Sequence, residues 1–101
     1  STVLSSLSVE MIAVFKALSE PLRVEVIELL REQEMCVCDL CDRLNVAQSK
    51  LSFHLKTLKQ AGLVRSRQEG RWIYYRLNLS QLLGANSLRV TYIKAQPIIL
   101  N

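Results

Sequence analysis

A change of hydrophobic period at Gly62 constrains this chain more than any other feature. Before it, Leu51, Leu55 and Leu58 recur at helical spacing through residues 48–61. After it, residues 64–68 and 71–77 read as strands, with Glu69-Gly70 as the turn between them. Glycine suits the junction because a helix commonly ends on a left-handed residue. In the second strand Trp72, Tyr74 and Arg76 fall on one face, and Ile73, Tyr75 and Leu77 on the other. Upstream, a short helix is expected from Val37 or Cys38 to Leu44, with Leu40 and Leu44 inward and Asn45-Val46 as the turn. Ala47 then makes a poor cap for the longer helix. Helix, turn, helix and hairpin in that order describe a winged helix-turn-helix: mainly α with a small β-hairpin.

Two further helices are expected before this unit. Met11, Val14, Phe15 and Leu18 share one face of residues 8–18. Ser19-Glu20-Pro21 is a helix start, with Pro in the first turn where its missing N–H costs nothing. Leu22, Val26, Ile27 and Leu30 carry that helix to about Arg31. The polar run Arg31-Glu32-Gln33-Glu34 connects it onward. We assign residues 1–83 to one domain built on the helix-turn-helix and its wing, and 84–101 to a tail in which Arg89 to Ile93 reads more like strand and Pro97 breaks any regular element.

Charge is divided along the chain. The net charge of +4 conceals an acidic first half. From residue 48 to 76, Lys50, Lys56, Lys59, Arg65, Arg67, Arg71 and Arg76 face one acid, Glu69. Such a basic second half fits a phosphate-binding surface. On the longer helix, Gln48, Ser49, Ser52, Phe53 and Lys56 lie off the apolar stripe, with Lys50 and Lys59 beside them. Gln and Ser near the start of such a helix reach base edges in a major groove. Lysines position the protein on phosphates without reading sequence. Arg65, Arg67 and Arg71 supply the wing. His54, the only histidine, is read as a structural group or a DNA contact rather than a metal ligand.

All cysteines fall in one run, Cys36, Cys38 and Cys41, directly before the helix expected to read DNA. Cys38 and Cys41 are three apart and share a helix face. Cys36 can fold back from the helix start. Three soft sulfurs without a nearby fourth ligand suit As(III), and Sb(III) likewise, better than the tetrahedral shell of structural zinc. A Cys36–Cys38 bridge is expected to be strained, whereas Cys38–Cys41 remains open. An odd cysteine count argues against a secreted disulfide scaffold. With 101 residues, half of them hydrophobic, the chain affords one small core, so a dimer is expected. No apolar run of about 20 residues predicts a membrane span. The first ten residues lack a signal-peptide layout, so a cytoplasmic setting is expected.

The chain resembles the arsenic-responsive repressors of the ArsR/SmtB group. The likeness rests on residues 15–23, on Met35-Cys36-Val37-Cys38-Asp39-Leu40-Cys41, on Gln48-Ser49-Lys50-Leu51-Ser52-Phe53-His54-Leu55, on Ala61-Gly62-Leu63-Val64 and on residues 70–77. The resemblance implies a homodimer on double-stranded operator DNA with two-fold symmetry. It needs no cofactor to bind, and As(III) at Cys36, Cys38 and Cys41 releases it. The second, C-terminal metal site of related sensors uses histidines that this chain lacks. Residues 84–101 do not resemble the family's C-terminal dimerisation helix, which leaves residues 8–18 as the expected dimer contact.

Two other classes stay open. One is a Cd/Pb/Zn-responsive or thiol-redox-responsive repressor of the same fold. The other is a metalloid-carrying or interaction module that never binds DNA. An enzyme is not expected, because one histidine and no carboxylate pair leave little to catalyse with.

Overall fold

The computed structural model describes residues 6–80; the expectations for residues 84–101 lie outside them. Four helices and three strands follow in the order α1 (Ser6–Ala17), α2 (Pro21–Glu32), β1 (Met35–Cys36), α3 (Val37–Leu44), α4 (Gln48–Gln60), β2 (Val64–Glu69) and β3 (Trp72–Leu77). The strands form one antiparallel sheet in the order β1-β3-β2. This is the winged helix-turn-helix that the change of period predicts. β1 is an addition to it: Met35 pairs with Tyr75 and Cys36 with Tyr74. Two residues carry no readable alternation, so only the partner strand reveals this one.

The leucine stripe does what its spacing requires. Leu51, Leu55 and Leu58 of α4 are buried with Leu40 of α3, Val26, Ile27 and Leu30 of α2, and Val14 and Ala17 of α1. Phe15 is the exception among the expected inward residues. It is 62% exposed, and Val9 and Ile12 beside it are also open to solvent. Ala17 takes the buried position instead, because the helix is set down on its Val14–Ala17 side.

Helix ends are built from specific residues. Ser19 closes α1 rather than opening α2, since its hydroxyl donates to the Lys16 carbonyl at 2.7 Å. Glu20 is the N-cap of α2 without a side-chain bond, and Pro21 follows it in the first turn. Asn45 ends α3 in the left-handed region at φ 53°, and the Cys41 carbonyl accepts from the N–H groups of both Asn45 and Val46. At the end of α4, Gly62 has φ 78°. Its N–H donates to Lys59 and that of Leu63 to Leu58, at 2.9 and 3.0 Å, which together make a Schellman motif. The buried Leu63 then turns the chain into β2. The wing closes through Gly70 and Arg71, one residue later than expected, because Glu69 still pairs with Trp72. Gly70 takes φ 63° there.

Candidate nucleic-acid interface and cysteine site

The outer face of α4 is set by what its inner face buries. Gln48, Ser49, Lys50, Ser52, Phe53 and Lys56 are all exposed, and Phe53 reaches 63%. Ala47 caps the helix without a side-chain bond, so the first amides of α4 are available to an acceptor such as a phosphate. Lys59 is held to β2 by donating to the Ser66 hydroxyl at 2.7 Å. Two of the expected DNA contacts stand differently. His54 is turned into the protein and is only 8% exposed, with its Nδ1 2.9 Å from Nη1 of Arg23; it leaves the open face because it shares the buried side of α4 with Leu51, Leu55 and Leu58. Arg67 is exposed but engaged. Its Nε and Nη2 donate to the Glu34 carboxylate at 2.7–3.1 Å, its Nη1 donates to Glu69, and its guanidinium lies over the Tyr74 ring at 4.5 Å. It anchors the wing rather than offering an idle cation.

Glu34 is the anchor point; in the sequence it is one residue of a polar connection, and nothing there marks it out, because β1 itself is not legible. Hydrogen bonds from Arg67 hold its carboxyl below the ordinary value, with Arg67 and Arg76 charges adding to that. The same bonds hold the Arg67 guanidinium all the more firmly protonated. Arg71, at the wing tip, is exposed and 5.7 Å from the Trp72 ring centroid.

The cysteines occupy the junction of sheet and reading head. Cys36 is buried, pairs with β3 and is the N-cap of α3, its sulfur accepting the Asp39 N–H at 3.3 Å. Cys38 is exposed in the first turn. Contrary to expectation, Cys36 and Cys38 are joined as a disulfide, with their Cα atoms 5.4 Å apart. The strand-to-helix turn shortens a separation that would be about 7 Å in extended chain, and 5.4 Å lies inside the ordinary disulfide range. Asp39 completes a group whose ligand atoms lie within 4.8 Å of one another. Cys41 is a free thiol one helical turn on, outside that group. Burial, helped by Asp42, holds its thiol above the ordinary value.

One cleft joins these parts. A space of about 280 Å³ is bordered by Cys38, by Gln48 and Ser52 of α4, and by Arg71 and Trp72 of the wing, over a floor that includes Leu55 and Tyr75. Cys38 thus borders the same cleft as Gln48, Ser52 and Arg71. Among the described residues, no helix is long and apolar enough to cross a membrane.

Comparison with known proteins gives one pattern. Residues 20–66 match the family described as "Bacterial regulatory protein, arsR family". The "Arsenical resistance operon repressor" of Escherichia coli is 44% identical over 68 residues, 66% of this chain and 58% of the relative. The chain thus spans little more than half the length of that relative. The "Arsenic resistance transcriptional regulator ArsR2" of Pseudomonas putida is 35% identical over 103 residues, covering 84% of this chain and 90% of the relative. Among solved structures, an "ArsR-like Transcriptional Regulator" from Rhodococcus sp. superposes with a TM-score of 0.73 at 32% identity, over 85% of this chain and 82% of that one.

Proposed function

Because the chain belongs to the arsR family of bacterial regulatory proteins, we propose that it is a transcriptional repressor released from operator DNA by As(III), and by Sb(III) in the same way. The family is one of regulators rather than enzymes. Two of its relatives carry arsenic resistance in their names. The observation that carries the reading is the placement of Cys36 and Cys38: one caps α3, the other borders the cleft shared with Gln48, Ser52 and Arg71.

Gln48, Ser49, Ser52 and Phe53 meet base edges, and Lys50, Lys56 and Arg71 meet phosphates. Two copies, joined through α1, place two such helices on a symmetric operator, and residues 1–83 suffice for both tasks. The setting is a reducing cytoplasm, where the Cys36–Cys38 pair exists as two thiols. Arsenite arrives as As(OH)₃. Three As–S bonds form to Cys36, Cys38 and Cys41 as three As–O bonds break. Each thiol proton departs with a hydroxyl as water, and no electron changes hands. Cys41 must close on the other two sulfurs, which draws in one turn of α3. That movement takes the Cys36 sulfur from the Asp39 N–H and pulls on the Cys41 carbonyl that closes the turn into α4. It also pulls on the β1–β3 pairing and so on the wing. Ligand and operator then oppose each other, with a coupling of roughly 1–3 kcal/mol.

Fluorescence anisotropy of a labelled operator, with reduced protein and increasing As(III), tests this. Release by As(III), lost in Cys36→Ser, Cys38→Ser and Cys41→Ser, is the expected result. Tight binding indifferent to As(III) but sensitive to Cd²⁺, Zn²⁺ or peroxide would overturn the inducer and keep the repressor. A folded protein that binds no DNA at low salt would overturn both.

A further inference from the structure

The Arg23–His54 contact lies away from the cysteines and joins three helices. Arg23 is half-buried on α2. Its Nε donates to the Ala17 carbonyl at 2.6 Å and its Nη2 to the Lys16 carbonyl at 3.4 Å, so it satisfies carbonyls at the end of α1. Its Nη1 lies 2.9 Å from His54 Nδ1 in the middle of α4. A guanidinium has donors and no acceptor, and keeps its proton throughout the accessible pH range. The bond therefore requires a bare lone pair on Nδ1. That fixes the imidazole as neutral, with its proton on Nε2.

We propose that His54 is a positioning residue: its neutral ring, held by Arg23, sets α4 against the end of α1, and protonating it loosens the reading helix and weakens operator binding. The proposal rests on the DNA-binding reading above. A second proton would place an N–H against an N–H and a cation against a cation at about 3 Å. Either Arg23 lets go of α1 or α4 shifts. Neighbouring charges agree in sum. Burial and the Arg23 charge hold the imidazole below its ordinary value; Glu20, at the start of α2, acts against them, and Lys50 on α4 acts with them. From α1, what reaches Arg23 is backbone, the carbonyls of Lys16 and Ala17. The contact is intact above the ordinary histidine value and is lost as pH falls through the lower value in the folded protein.

The test measures operator affinity from about pH 8 to about pH 5 for the wild type and for His54→Asn, whose amide oxygen can accept from Arg23 and takes no proton. The wild type should weaken by up to about tenfold per pH unit for each copy bound, below the imidazole's own pKa, as one linked proton per copy dictates. The His54→Asn variant should lack that component. Nitrogen NMR of the wild-type imidazole, without DNA, should find the proton on Nε2 and a titration below the ordinary histidine value. Identical pH profiles for the two proteins would overturn the proposal. So would an imidazole that carries its proton on Nδ1 at neutral pH. If neither protein bound operator at neutral pH, the regulator reading would fail, and the NMR tautomer and titration would decide the Arg23–His54 contact on their own.

Discussion

Single residues decide where this chain turns. Gly62, at φ 78°, closes the Schellman motif that sends α4 into the wing. Gly62→Ala should cost about 1–2 kcal/mol, the penalty of a left-handed conformation for a residue with a Cβ. Urea unfolding would show it as a lower midpoint with an unchanged slope. Leu51→Ala, at a fully buried position, should cost more, about 2–5 kcal/mol. Both positions were legible from periodicity and composition alone, since a leucine stripe and a glycine stop have few other uses. His54 and Arg67 were not. Their chemistry suits DNA, but their roles depend on direction: an imidazole buried against Arg23 and a guanidinium held by Glu34 are products of packing that spacing does not encode. Phe15 shows the same limit, because a helix with apolar residues on two sides does not reveal which side is covered.

At the scale of elements, the unexpected piece is β1. Its two residues link the cysteines to the wing, as Cys36 pairs with Tyr74. The sequence offered the cysteines as a helix feature, and their spacing gave no sign of a strand. Nor did it offer the Cys36–Cys38 bond, which depends on the turn between β1 and α3. Glu34 stands at the entry to β1 and receives Arg67 from β2 and, at 4.0 Å, Arg76 from β3. Glu34→Gln should therefore loosen the hairpin without unfolding the helices. Amide hydrogen exchange should speed at Tyr74 and Tyr75 while Leu51 and Leu55 stay protected. The sign of the pH effect follows from the lowered carboxyl value of Glu34. Its contribution is present above the ordinary glutamate range and is lost as pH falls through the value in the folded protein. The wild-type hairpin should loosen in acid, and Glu34→Gln should be insensitive over that range. Unchanged exchange in the variant would mean that the β2–β3 ladder alone holds the wing.

At the scale of the whole molecule, charge and the exposed face of α1 must work together. If Lys50 meets a phosphate, Lys50→Ala should lower the salt slope of operator binding by about 1 for each copy bound, and weaken all sequences alike. Under the dimer proposed above, the number of copies rests on α1. Val9, Ile12 and Phe15 recur every third residue and are 53%, 41% and 62% exposed, an apolar strip of the sort that a second subunit covers. A two-fold dimer would use the same strip from both copies. It would also set the two α4 helices to meet successive major grooves, about 34–36 Å apart. Phe15→Asp places two like charges where that strip would meet itself. The variant should keep its helical circular dichroism, because Phe15 is 62% exposed and lies outside the buried core of the described residues, and should sediment as a monomer. Operator affinity should fall about 10²–10⁴-fold, since the second half-site no longer binds at the effective concentration set by the first. A dimeric Phe15→Asp with undiminished affinity would move the interface off α1. A monomeric variant that bound a full operator as tightly as before would mean that one reading head is enough.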